Sequence, residues 1–182
     1  MKLGYLHLAA AISLMSALAW AQAPGAHWTL TPTSLDPPLR KENPGVSDGT
    51  YMYVFGGNAT SGQLNDLWRF DGTTWVEMTT NGAVGSPPAR DKAGITWDYA
   101  RNRLVVFGGG DSTGSILGDT WEWDPVTNTW ADVTPTGTSP LPRRWCALAY
   151  DQVNSKVLLF GGLDANGSTH LNDTWQFDGL TW

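Results

Sequence analysis

Three short stretches decide the fold: Phe55-Gly56-Gly57, Phe107-Gly108-Gly109 and Phe160-Gly161-Gly162, at spacings of 52 and 53 residues. An apolar run leads into each: Tyr51-Met52-Tyr53-Val54, Leu104-Val105-Val106 and Val157-Leu158-Leu159. Downstream stand Asp66-Leu67-Trp68, Asp119-Thr120-Trp121 and Asp173-Thr174-Trp175. Further on, an Asp and a turn lead to a second Trp: Asp71 to Trp75, Asp124 to Trp130, Asp178 to Trp182. Upstream of each Gly pair lies a Pro-x-Arg step, at Pro38 and Arg40, Pro88 and Arg90, Pro142 and Arg144. Five landmarks in one order, three times over, mark an internal structural repeat.

The residue types say what each repeat is. Val157 to Phe160 is a continuous apolar run bounded by Lys156 and two glycines, which suits a strand buried on both faces. Trp68-Arg69-Phe70 and Trp121-Glu122-Trp123 alternate aromatic and charged residues, as a strand does with one face on a neighbouring sheet. The Gly pairs allow backbone angles or close approaches that a side chain forbids. Composition agrees: 21 Gly, 11 Pro and 11 Trp in 182 residues, with only 15% charged, exclude a helical bundle and a disordered chain. Each repeat therefore supplies about four short strands, and sheets stacked radially bury the aromatics between them.

The pattern resembles the kelch repeat, in which each repeat is one four-stranded blade of a β-propeller with a period near roughly 50 residues. The turn Asp124-Pro125-Val126-Thr127-Asn128-Thr129-Trp130 carries the resemblance most fully, and it covers nearly all of the chain after residue 21. The resemblance implies an all-β, kelch-type propeller related to the galactose oxidase central-domain superfamily, of a secreted bacterial type. With strands A to D counted outward from the axis, the second blade is expected to run 91–98, 103–109, 119–124 and 130–133. Three blades of four-stranded antiparallel sheet are predicted, at about 38–80, 88–135 and 142–182, preceded by an orphan D-type strand at 27–32. Propellers typically close with about four to eight blades. The ring is thus incomplete, and either further blades of a longer chain or a homodimer is expected to finish it.

The first 21 residues read as a signal peptide. Lys2 supplies a positive start, 6–18 form an apolar run, and Ala19-Trp20-Ala21 fits the small-x-small cleavage rule. The run is shorter than the ~20 apolar residues of a spanning helix, so no membrane span is expected after cleavage. The expected location is secreted, periplasmic or at a cell surface. A net charge of −6 and the lack of any basic run exclude nucleic acid as a default partner. A single cysteine excludes an intrachain disulfide.

Few residues offer chemistry. His27 and His170 are the histidines after residue 21, and they do not form a metal-binding set. No cofactor, metal or catalytic group is expected. The resemblance to galactose oxidase implies a cysteine–tyrosine pair with two histidines; Cys146 has no such motif around it and is expected to be a small core residue. The alternative is that the chain is part of a propeller enzyme, an oxidase of that kind or a sugar epimerase, whose site lies in other blades. Asp66, Asp119 and Asp173 are expected to cap turns. Arg40, Arg90 and Arg144 precede inner strands; they either pack within their blades or form a ring of guanidiniums able to clamp a carboxylate. Binding of a protein or carbohydrate ligand is expected in the B–C loops 58–65, 110–118 and 163–172, where Asp111, Asp164 and His170 are the candidates beside the arginines.

Overall fold

The computed structural model describes residues 29–33 and 35–182, so the signal peptide and the start of the 27–32 stretch lie outside the described residues. Thr29 to Pro32, the described part of that stretch, forms no strand.

Three antiparallel sheets follow one another. The first contains β1 (Arg40–Lys41), β2 (Gly45–Ser47), β3 (Met52–Ala59), β4 (Gly62–Phe70) and β5 (Trp75–Thr79). The second is β6 (Gly94–Asp98), β7 (Arg103–Gly110), β8 (Ile116–Asp124) and β9 (Thr129–Asp132), in that order. The third contains β10 (Arg143–Arg144), β11 (Ala147–Asp151), β12 (Lys156–Asp164) and β13 (His170–Phe177). These are blades of a kelch propeller in an open ring.

Strand count corrects one expectation. β1 and β2 both pair with β3, and β10 and β11 both pair with β12, so each pair is one inner strand broken in two. In the second blade the break falls between the Asp91–Gly110 bridge and β6. Blades one and two thus have four strands. Blade three has three, because no strand follows the turn at Asp178. The strands β7 and β8 also run further than expected, and the connections between second and third strands shrink to 60–61, 111–115 and 165–169.

The Gly pairs explain the repeated bend. Register shifts between Phe55 and Gly57, Phe107 and Gly109, and Phe160 and Gly162, so each pair is a β-bulge. Gly108 sits at φ 63°, and a Cβ there would lie 2.4 Å from the Arg143 carbonyl oxygen of the next blade. The bulge is where blade approaches blade.

Aromatics fill the wedges between sheets. Tyr53 stacks on Trp97 with centroids 5.0 Å apart, and both pack with Phe55, Leu104, Val106 and Trp123. The second wedge gathers Phe107, Cys146 and Leu159, with Val105, Val157 and Phe177 nearby. Each wedge carries one repeated contact: Trp130 of blade two lies 5.1 Å from Phe55 of blade one, and Trp182 of blade three lies 5.2 Å from Phe107 of blade two.

Candidate functional site

Antiparallel pairing puts the start of each inner strand and the turn between second and third strands at one end of the blades. All six candidate binding residues lie at that end, but the structure divides them.

Arg40 and Arg90 face inward. Arg40 holds both oxygens of Asp66 at 2.7 Å, and Arg90 holds those of Asp119 at 2.6 and 2.7 Å. Both guanidiniums also donate to a bulge carbonyl, Gly56 or Gly108, and to the carbonyl of Pro38 or Pro88. The third member of this set is Arg143, not Arg144: it takes Asp173, the Gly161 carbonyl and the Leu141 carbonyl. Leu141 stands where the other blades have Pro, which shifts the true alignment one residue from the Pro-x-Arg pattern. The expected rim of Arg40, Arg90 and Arg144 is therefore not formed.

The repeated aspartates are partners of these arginines and not turn caps. Each also accepts the indole N–H of the Trp two residues on, Trp68, Trp121 or Trp175, at 2.7 Å. The Arg143 hydrogen bond to Asp173 holds its carboxyl down to about 2 against the cost of burial. For Asp119 burial is the larger influence and acts upward, yet the Arg90 contacts outweigh it and the carboxyl lies below its usual range.

Next to these anchors stands a second repeated position, occupied by Glu42, Lys92 and Trp145. All three adopt left-handed backbone, with φ of 57°, 58° and 58°. This is uncommon for such side chains. The Lys92 N–H donates to the Glu42 carbonyl at 3.0 Å and the Trp145 N–H to the Lys92 carbonyl at 2.8 Å, so the three residues form a relay from blade to blade. Left-handed backbone breaks the inner strand and turns one N–H to the preceding blade.

Their side chains build the surface. Lys92 Nζ lies 3.0 Å from Asp91 Oδ2 and 3.2 Å from Glu42 Oε2. Burial acts to lower the Lys92 pKa, but hydrogen bonds from Asp91 and Glu42 prevail and hold it above the ordinary lysine range. The other Asp91 oxygen, Oδ1, is buried without a protein partner. Trp145 is 54% exposed, with the Arg144 guanidinium 4.7 Å and the Lys92 ammonium 5.5 Å from its ring. Trp145 lines two clefts, one of 340 Å³ with Phe160, Leu163 and His170, the other of 280 Å³ with Glu42, Lys92 and Cys146.

The remaining candidates sit around this plate. Asp111 accepts from the Thr113 hydroxyl and the N–H groups of Thr113 and Ser115; these bonds hold its carboxyl low. Asp164 accepts from the Thr169 and Ser168 N–H groups, with the same effect. Both shape turns. His170 opens β13 instead of lying in a loop, and it faces the Trp145–Phe160 cleft. Sequence reasoning missed Glu42, Asp91, Lys92 and Trp145. Their shared signal, the left-handed position after Arg-x, is carried by three unlike residue types and has no composition mark.

Cys146 is buried, and the space a Cβ on Gly94 would need is held by Cys146 Sγ and Leu148 Cδ1. Burial pushes the thiol up to about 11. Among the described residues no group of three His, Cys, Asp or Glu could hold a metal ion.

Repeated sheets, bulges and Arg–Asp anchors of this kind define a kelch-type propeller. Residues 12–182 match the family described as KLHDC2/KLHL20/DRC7 Kelch-repeats domain, and the chain belongs to the kelch-repeat family. It is 33% identical to Adagio protein 3 of Arabidopsis thaliana over 130 residues, 68% of this chain and 20% of that protein. It is 28% identical to Kelch domain-containing protein 3 of Homo sapiens over 166 residues, 83% of this chain and 41% of that protein. It is 31% identical to Kelch domain-containing protein 10 of Xenopus tropicalis over 134 residues, 70% of this chain and 32% of that protein. The chain spans less than half the length of each of these relatives, all of which come from eukaryotes.

Proposed function

We propose that the chain is a non-catalytic binding module that engages a protein, or a carbohydrate on a protein, at the end of the blades where Trp145 is exposed. The observation that carries this reading is Trp145 itself. A large aromatic, half uncovered, flanked by two cations and bordered by two clefts, matches the composition of recognition surfaces, where Trp and Arg are enriched. Kelch relatives of the same architecture support a binding role over a catalytic one. The apolar run at 6–18 supports export, to the periplasm, the cell surface or the medium. Three blades fall short of a closed ring, and further blades of a longer chain would enlarge the same surface.

The full chain and its Trp145→Ala variant are immobilised and offered protein and glycan arrays. Ligands retained by the wild type should weaken at least about tenfold on the variant. Ligands that bind both forms equally would place recognition elsewhere. Retention of glycans alone would make the partner a carbohydrate.

A further inference from the structure

The two wedges between blades repeat a contact whose third copy is open. In blade two, Phe107 is fully buried beneath the Trp182 ring, and Trp182 Nε1 donates to Thr120 Oγ1 at 2.9 Å. Phe107 and Thr120 are directly paired across β7 and β8. In blade one, Phe55 is equally buried beneath Trp130, whose Nε1 donates to Thr79 Oγ1 at 3.0 Å. A phenyl ring and a threonine hydroxyl thus make a socket for the indole that begins the following blade's outer strand.

Blade three has the same socket. Phe160 and Thr174 are directly paired across β12 and β13, as Phe107 and Thr120 are in blade two. Here Phe160 is 54% exposed and Thr174 is exposed, and the cleft beside Phe160 has a volume of 340 Å³. At the other end of the array, Trp75 opens β5 as Trp130 lies at the start of β9, stacked on Phe70 with centroids 4.8 Å apart and still partly exposed. The chain carries one empty socket and one unused indole of the matching kind.

We infer that the Phe160–Thr174 socket receives Trp75 from blade one of a second copy of this chain. The contact continues an interface already made twice within the molecule. The backbone relay extends with it: Glu42 of the second copy takes the place after Trp145 that Lys92 takes after Glu42. Two copies joined this way meet at two identical junctions, which is a closed symmetric pair, and its six blades lie in the range that closes a propeller. The inference is independent of the ligand-binding role of Trp145, because neither Trp75 nor Thr174 lines the Trp145 clefts.

Sedimentation velocity on the full chain tests it. The wild type should be a dimer at micromolar concentration. Trp75→Ala and Thr174→Lys should each weaken association about 30-fold or more. Thr174 is exposed, so its lysine variant leaves the packed core untouched, and circular dichroism should match the wild type. An equimolar mixture of the two variants should associate more tightly than either alone, since it restores one junction with Thr174 and Trp75 both intact. A wild type that stays monomeric overturns the inference, as does a dimer indifferent to both variants. A mixture no tighter than its components overturns it too. So does a longer natural chain that is monomeric and buries Phe160 under a blade of its own.

Discussion

Arg143 holds the two carboxylate oxygens of Asp173 at 2.5 and 2.8 Å across 30 residues of chain, while its neighbour Arg144 lies over the Trp145 ring. Two consecutive arginines thus serve opposite ends. The first is a buried anchor joining the start of an inner strand to the third strand and the bulge. The second belongs to the surface.

That division predicts unequal effects on stability. Replacing Arg143 with Met leaves Asp173 and the Gly161 carbonyl without their shared donor, and removing one partner of a buried pair costs about 3–5 kcal/mol. Asp173 is partly exposed, so the lower end of that range is expected. Arg144→Met should change stability by about 0.5 kcal/mol or less. Urea unfolding of the two variants checks this, and equal midpoints would contradict it.

The repeat was legible in the sequence because its landmarks are rare residues in fixed order: a Gly pair, an Asp two before a Trp, a Trp after a turn. The Gly pairs and Trp rings have the packing roles expected of them. What joins the landmarks was not legible. Arg40 and Asp66 are 26 residues apart, and nothing local tells that they bond. In blade three Leu141-Pro142-Arg143-Arg144 offers two arginines to one pattern, and only the bulge carbonyl of Gly161 decides between them. The turns looked long because Asn, Gly and Leu near them lack strand character, yet Gly62–Asn65 and Ile116–Gly118 lie in β4 and β8. The surface was hidden for a different reason. Glu42, Lys92 and Trp145 share a backbone angle, and side-chain chemistry does not report it.

Acid should unfold the protein in a defined window. Asp173 and Asp178 have folded pKa values of about 2, the first lowered chiefly by Arg143, the second by the Thr181 and Leu180 N–H groups. An unfolded aspartate titrates near about 3.9. Their stabilisation is therefore complete above about pH 4 and is lost as pH falls toward about 2. Glu122 acts in the other direction: burial raises its pKa despite Arg101, so its protonation favours the fold as pH falls through that raised value. Urea midpoints should drop steeply between about pH 4 and pH 2, and Asp173→Asn should show a shallower drop. A flat profile across that window would remove the argument.

Cys146 should be inert in the folded protein. Its thiol is buried against Gly94 and its pKa is near 11, so almost no thiolate exists at neutral pH. A maleimide should label the native chain at less than about a tenth of the rate seen in denaturant. Cys146→Ala should be tolerated, because Ala93 fills the same position against the second Gly of the bulge in blade two: a Cβ on Gly109 would lie 3.2 Å from that of Ala93, and one on Gly162 lies 3.2 Å from that of Cys146. A cost below about 1.5 kcal/mol is expected from urea unfolding, as for other small changes of apolar volume.

Two glycines separate the cost of a backbone angle from the cost of a blade contact. Gly108 and Gly114 both have positive φ, 63° and 88°. Around Gly114 a Cβ would meet nothing within 4 Å, so Gly114→Ala should cost only the roughly 1–2 kcal/mol of placing an L-residue in left-handed backbone. At Gly108 the same methyl group would lie 2.4 Å from the Arg143 carbonyl and 3.1 Å from that of Leu117. Neither atom can swing aside, because both belong to strand backbone: Arg143 is paired with Asp164 and anchored by its own guanidinium, and Leu117 is paired with Gly109. Gly108→Ala must therefore push blade three away from blade two and loosen the Phe107–Trp182 contact beside it. Its destabilisation should exceed that of Gly114→Ala by about 2 kcal/mol or more. Tryptophan fluorescence during urea unfolding measures both, and equal losses would mean that the bulge glycines serve backbone conformation alone.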